Sequence, residues 1–524
     1  MKKTFLVLHA ILFSFIVYSQ GKALNWQQQR SHYQFPKWYT DARFGIWVHW
    51  GAQTQPDSGG GWYARHMYMQ DVGNETWGTN AYPYQVRHYG HPSEKGFKDV
   101  IHEWKAEKLN TDALLKYFKS IGAKYFVVLA NHHDHFDNFA STYQQWNSVN
   151  VGPKKDIVGL FKKSAVKYDI PFGVSSHDDR FLTWWLPAFR ADTSGPYKGL
   201  PYDGRMTKAD GKGKWWEGLD PADLYGLPPE KRTPEYIKGV KENYIRRLEE
   251  LVTKYDVDML WFDGYGFPYG DYGKEVCTYY FNNTLKEHGK ITGVIAGKFS
   301  NEPSTVKDIE RGGATEILPY PWQGTLTFGS WFYKKERPIR HSARTVIETL
   351  TDIISKNGNL LLNVELLPDG TIPPDHKLIL DTIGEWINRN REAIYASKPW
   401  KIYGDNLGGG KPAKNMSETD LADVKKQSND FNERTIGSPL YPNNEVRFTT
   451  KGKNLFIFLL NPIPGQIEIP SLGRQSYYNS KKITAIKLLG CHNKISFNQD
   501  RDRLKLTVPV TDGYTQVFEV KGVL

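Results

Sequence analysis

The strongest constraint on the fold is an alternation that recurs along the chain: an amphipathic helical stretch, a short apolar run, then a cluster of polar side chains. Thr111 caps a segment whose Leu114, Leu115, Phe118 and Ile121 share one helical face, and Gly122 ends it before a strand over 125–129. The next unit predicts a helix over 156–168, with Ile157, Leu160, Phe161 and Val166 inward, and a strand over 172–174. Residues 234–255 and 257–262 make a further helix and strand, as do 344–356 and 359–364. Alternation of this kind predicts an α/β fold with mostly parallel strands.

Polar residues follow each apolar run: His132 and His133, Ser175 to Asp178, Asp263, and Asn363 with Glu365. A (β/α)8-like, TIM-type barrel places its active site there, at the carboxyl ends of its strands. A doubly wound open sheet is the alternative, but it calls for a phosphate-binding glycine loop, and Gly59-Gly60-Gly61 lacks the spacing. After a helix over 374–396 the texture changes. Residues 401–427 are rich in Gly, Asn and Lys, and from Val446 only short strand-like runs occur, which predicts an all-β sandwich. The expected division is a barrel over 20–398 and a sandwich over 399–524.

The first nineteen residues read as a secretory signal, with Lys2 and Lys3 before an apolar run and small residues Val17 and Ser19 before the cut. That run is short of the roughly 20 residues a membrane span needs, and no other stretch is a candidate, so no membrane anchor is expected. Cys277 and Cys491 are the only cysteines, which excludes a disulfide framework and suits an exported protein of the bacterial periplasm. The formal charge of +11 would favour a polyanionic substrate, yet the basic residues are scattered among acids and no nucleic-acid motif occurs. Seventeen Trp and 31 Tyr in so polar a chain are enough to build platforms for sugars as well as a core.

Asn131-His132-His133-Asp134-His135-Phe136-Asp137-Asn138 is the densest polar cluster at a strand end. Three readings stand: a metal site using His133 and His135, histidines satisfied in a core, or a clamp for vicinal hydroxyls. No HExxH or cysteine cluster completes a zinc site, so no metal or cofactor is expected. Asp263 ends an apolar strand and precedes Gly264, a placement that suits a nucleophile or general base and also an ordinary turn aspartate.

Five segments together resemble the α-L-fucosidases of glycoside hydrolase family 29, in that family's order over about residues 36–400. They are Arg43 to Gly51, Gly61 to Tyr68, His132 to Asp134, Leu260 to Gly264, and Asn357 to Val364. The resemblance implies a retaining exo-glycosidase acting on a carbohydrate with a terminal L-sugar. Asp263 would be its nucleophile, with His49, Trp62, His132 and His133 holding the ring and a second carboxyl as acid/base. Where many members have Glu after a Trp, this chain has Trp322-Gln323, so the acid/base falls to Glu310, with Glu316 as fallback. Glu310 is preferred because Arg311 beside it could pair with a pocket carboxylate. Trp322 is expected at the substrate.

The segment Ser175 to Arg180 replaces tyrosines common in the family, and His177 there would contact substrate. Smaller polar groups leave room for another hydroxyl, so the alternative to fucose is terminal L-galactose on an anionic algal galactan. A non-catalytic sugar-binding relative is the third reading.

Overall fold

The computed structural model describes residues 23–70, 80–299, 302–311, 313–335, 341–405, 407 and 441–524. The expected signal segment lies outside them.

Eight strands form the first sheet: β1 (Phe44–Val48), β2 (Phe126–Asn131), β3 (Phe172–Ser176), β4 (Met259–Tyr265), β5 (Val294–Lys298), β6 (Val306–Glu310), β7 (Trp322–Thr327) and β8 (Gly358–Asn363). Each pairs in parallel with the next, and β8 pairs back onto β1. The sheet is therefore a closed barrel, and the open-sheet alternative fails.

Side chains alternate across each strand. Trp47, Val127, Met259, Trp261, Val294, Ala296, Val306 and Leu361 fill the barrel, while Ile46, Val48, Val128, Leu260 and Phe262 pack outward against the helices. Polar residues share the interior where they find partners. Asp308 accepts hydrogen bonds from Trp261 Nε1 (2.7 Å), Gln323 Nε2 (2.7 Å) and Thr325 Oγ1 (3.1 Å), and Gln323 Oε1 accepts from Tyr125 Oη (3.0 Å).

Two local expectations are corrected. The helix Thr111–Ser120 is capped by Asn110, whose side chain accepts from the Ala113 amide, while Thr111 is its first residue and bonds across to Ser164 (2.8 Å). In Ile157–Lys167 the buried face is Ile157, Val158, Phe161 and Ala165; Leu160 is 37% exposed and Val166 66%. The helix has one neighbouring layer to cover, and these two positions lie off that stripe.

The C-terminal strands are β9 (Lys398–Asp405), β10 (Glu445–Lys451), β11 (Asn454–Leu460), β12 (Gly465–Ile469), β13 (Ala485–Leu488), β14 (Phe497–Gln499), β15 (Leu504–Val508) and β16 (Gln516–Lys521). They form antiparallel sheets ordered β13-β16-β11-β10-β9 and β12-β15-β14, which share a core including Phe448, Ile457, Ile469 and Leu506. Strand β9 overlaps the start of the stretch read as a Gly- and Lys-rich connector. Cys277 and Cys491 are both free, and among the described residues no helix is long and apolar enough to cross a membrane.

Candidate active site

The interior alternation continues past the apolar layers to the carboxyl ends of the strands. Two residues beyond Trp47 stands His49; beyond Ser175, His177; beyond Trp261, Asp263; beyond Ala296, Lys298; and beyond Asp308, Glu310. One periodicity thus delivers five polar side chains to the mouth. At β4 the pairing with β5 shifts register between Phe262 and Tyr265, and Gly264 takes a φ of +90°, a conformation that L side chains rarely adopt. This break in the ladder frees the backbone around Asp263 to aim its carboxylate.

Lys298 joins the two carboxyls. Its Nζ lies 2.8 Å from Asp263 Oδ1 and 2.6 Å from Glu310 Oε2, which caps the separation of those oxygens at about 5.4 Å. On the other Asp263 oxygen, Oδ2, His133 Nε2 lies at 3.3 Å and His177 Nδ1 at 3.6 Å. Burial would push the Asp263 carboxyl up, but the Lys298 charge and the two imidazoles outweigh it and hold the group well below the usual carboxylate range. Asp263 foremost, with the Glu310 carboxyl on its other side, holds the Lys298 ammonium charged despite its burial.

His49, His132, His133 and His177 form the wall facing this pair, with ring centroids 4.5–5.2 Å apart for His132–His133, His49–His177 and His49–His132. Burial lowers His177 to about 4 and His49 and His132 well below their ordinary value, so these three rings are neutral at pH 7. His132 Nδ1 meets the Gln53 amide at 2.7 Å. His49 Nδ1, His133 Nδ1 and His177 Nε2 are buried with no hydrogen-bond partner among the described residues. Orphaned nitrogens in a pocket are costly unless a polar ligand completes them. Trp62 stands beside them, 6.3 Å from His133 and 4.8 Å from Trp184 between ring centroids.

The segment after β2 divides its histidines. His135, in the left-handed region at φ +62°, turns away from His133. Its Nδ1 meets Asp178 (2.7 Å) and its ring stacks on Phe181 at 3.6 Å between centroids. Arg247, buried on the helix Pro234–Tyr255, pairs with both Asp137 and Asp178. The pairing of His133 with His135 as metal ligands is therefore corrected, because positive φ sends one ring to the mouth and the other to a buried ion cluster.

Three further sequence expectations change. Trp322 opens β7 at its amino end and donates to Lys356 O (2.8 Å), so it packs at the barrel's foot. Trp331 and Phe332 stand at the mouth instead, 5.6 and 4.6 Å from His49 between ring centroids. Gln323 belongs to the interior network with Asp308, so its identity removes no acid from the mouth. Glu316 is exposed in the connection between β6 and β7, with no hydrogen bond or ion pair to the site among the described residues. Beside Glu310, which Lys298 contacts, Arg311 lies with its guanidinium 5.0 Å from the Trp331 ring centroid.

The sequence reading also missed Asp179, a carboxyl raised to about 6 by burial and by the charge of Asp263. Its Oδ1 is buried without a hydrogen-bond partner among the described residues, and a Cβ on Gly264 would come within 2.9 Å of Oδ2.

The family model for alpha-L-fucosidase matches residues 16–392. The chain belongs to the α-L-fucosidase family. Among its relatives, mouse tissue alpha-L-fucosidase is 25% identical over 389 residues, covering 72% of this chain and 75% of that protein. Human plasma alpha-L-fucosidase is 25% identical over 387 residues, with 71% and 72% covered. The solved structure of Thermotoga maritima alpha-fucosidase in complex with fucose is 25% identical with a TM-score of 0.65, covering 94% of this chain and 99% of that one. As a member of this family the chain is a glycoside hydrolase, and a carbohydrate is its substrate.

In this protein two triads of potential ligand atoms, His49 with His132 and His177 and His133 with His177 and Asp263, each lie within 4.8 Å. In the second, the Lys298 ammonium already sits on Asp263, so the protein itself supplies the positive charge there. Neutral imidazoles with open nitrogens beside a paired carboxylate suit vicinal hydroxyls, which both donate and accept.

Proposed function

We propose that this enzyme is a retaining exo-α-L-fucosidase whose nucleophile is Asp263 and whose acid/base is Glu310. The observation that carries the reading is the pair of carboxyls held on one ammonium, with facing oxygens no more than about 5.4 Å apart. Retaining glycosidases place their carboxyls about 5–5.5 Å apart, whereas inverting ones leave room for a water at roughly 6.5–9.5 Å. In the first step Asp263 attacks the anomeric carbon, the glycosidic C–O bond breaks, and the Glu310 proton passes to the leaving oxygen. Water then attacks the same carbon, Glu310 takes its proton, and Asp263 leaves. His49, His132, His133 and His177 hold the ring hydroxyls, with Trp62 beside them. The fucose bound in the Thermotoga maritima relative supports the sugar assignment.

The polar end of β3 favours one variant of this reading, terminal α-L-galactose. L-Galactose is L-fucose with a hydroxyl on C6, and the buried, unpartnered oxygen of Asp179 would accept from an additional hydroxyl. The basic excess supports an anionic polysaccharide as its source, and the amino-terminal leader supports export to the periplasm.

Aryl α-L-fucoside and aryl α-L-galactoside turnover compared side by side tests the sugar; a hundredfold preference for fucoside ends the galactose variant. Proton NMR should show the α-anomer released first, and β-anomer first would sink the retaining assignment. Asp263→Gly should lower kcat on the better glycoside by at least about a thousandfold while binding persists, since it removes the group that forms the covalent bond in the proposed step.

A further inference from the structure

Two carboxyls that share one ammonium are matched when they carry one negative charge between them, because a second would stand uncompensated on that ammonium in a low dielectric. Here the ammonium is Lys298, at the end of β5, with 13% of its side chain exposed and a hydrogen-bond contact to each carboxyl. The proposed double displacement moves that one negative charge. It begins on Asp263 while Glu310 holds the proton. When the glycosyl–Asp263 ester forms, Asp263 becomes neutral, the proton leaves with the departing alcohol, and Glu310 carries the charge.

We infer that Lys298 is a catalytic residue that transfers its ion pair from Asp263 to Glu310 as the glycosyl-enzyme forms and returns it when the ester is hydrolysed. Because its Nζ already contacts both carboxyls, the transfer requires no movement along the chain. In the intermediate Lys298 keeps Glu310 ionised and ready to take the proton of water; in the free enzyme it keeps Asp263 ionised for attack. The inference rests on the proposed retaining mechanism.

Other titratable groups face this set. His133 and His177 approach Asp263 from the ends of β2 and β3, and Asp179 adds negative charge there. Asp308 acts on Lys298 from below within β6, and the Tyr265 ring centroid lies 5.9 Å from Nζ. None of them contacts both carboxyls through a single atom among the described residues, so none can substitute for the lysine.

The test uses the full-length enzyme and an aryl α-L-fucoside whose leaving group needs no protonation, so that hydrolysis of the glycosyl-enzyme limits kcat. In that state Asp263 is esterified and the acid limb of the kcat–pH profile reads the base. Lys298→Met should move the acid limb upward by about one pH unit or more, the effect of losing an adjacent opposite charge. Azide, a nucleophile that needs no base, should restore kcat, and Lys298→Arg should keep the limb within a few tenths of wild type. A uniform loss in Lys298→Met across pH with an unmoved limb overturns the inference and leaves the lysine as packing. Should Lys298→Met melt below the assay temperature, Lys298→Gln carries the same comparison. If wild type turns over aryl α-L-fucoside with retention while the limb stays fixed, this inference fails alone; if wild type cleaves no α-L-fucoside or releases the β-anomer first, the retaining reading falls with it.

Discussion

Two tryptophans nine residues apart, Trp322 and Trp331, carry opposite tasks because one opens β7 and the other follows it. Trp331 lies 5.3 Å from Trp47 and 5.6 Å from His49 between ring centroids, among residues that form the mouth. Trp322 is fully buried against the end of the helix Ala343–Ser355 and is hydrogen-bonded to Lys356 O. Trp331→Ala should therefore raise KM for an aryl α-L-fucoside by about tenfold, as expected for losing an aromatic contact worth about 1.4 kcal/mol. Trp322→Phe should leave KM alone and lower the melting temperature, since it gives up packing volume and one hydrogen bond. Steady-state kinetics beside thermal melts separate the two, and a KM change from Trp322→Phe would show that the barrel's foot is coupled to its mouth. The sequence offered no way to rank these tryptophans without knowing which end of β7 each occupied.

At the scale of elements, the loops that carry the histidine wall are anchored from outside the barrel. Arg247, on the helix Pro234–Tyr255, holds Asp137 from the segment after β2 and Asp178 from the segment after β3, and His135 completes the cluster. His133 and His177 lie on those same two segments. Arg247→Met should cost about 3–5 kcal/mol, because it leaves two buried carboxylates without their cation. It should also raise KM, since both imidazoles lose their fixed backbone. Chemical denaturation with parallel kinetics checks this, and a stability loss with unchanged KM would confine the cluster to folding.

What was legible in the sequence follows the same division. Apolar runs ending in polar residues identified β2, β3, β4 and β8 and placed His133, His177 and Asp263 at their ends. Strand β6 reads Val-Lys-Asp-Ile-Glu, and its interior positions include Asp308 and Glu310, so no apolar run announces it. Lys298 was missed for a related reason: Val294-Ile295-Ala296 is too short a run to establish a strand, although its alternation points Lys298 into the mouth. Leu160 and Val166 stay exposed because apolarity alone does not say which stripe of the helix another layer covers.

For the whole molecule, the barrel and the sandwich meet through a buried charge cluster. Arg447 on β10 donates to Asp352 (2.7 Å) on the helix before β8, and Lys356 holds the other Asp352 oxygen (2.8 Å). Burial alone would raise the Asp352 carboxyl, but Lys356 and Arg447 prevail and hold it below its usual value. A carboxyl depressed on folding contributes stability that is complete above its unfolded pKa, near 4, and is lost as pH falls through the folded value. Arg447→Met should therefore destabilise the protein at pH 7 by about 3–5 kcal/mol. The difference from wild type should narrow below about pH 4, where protonation of Asp352 removes in the parent what the substitution removed in the variant. Denaturation midpoints measured for both proteins from pH 7 to pH 3 read this directly. A gap that stays constant to pH 3 would assign the junction to the apolar contacts of Trp386 with Phe458 instead of to the ion cluster.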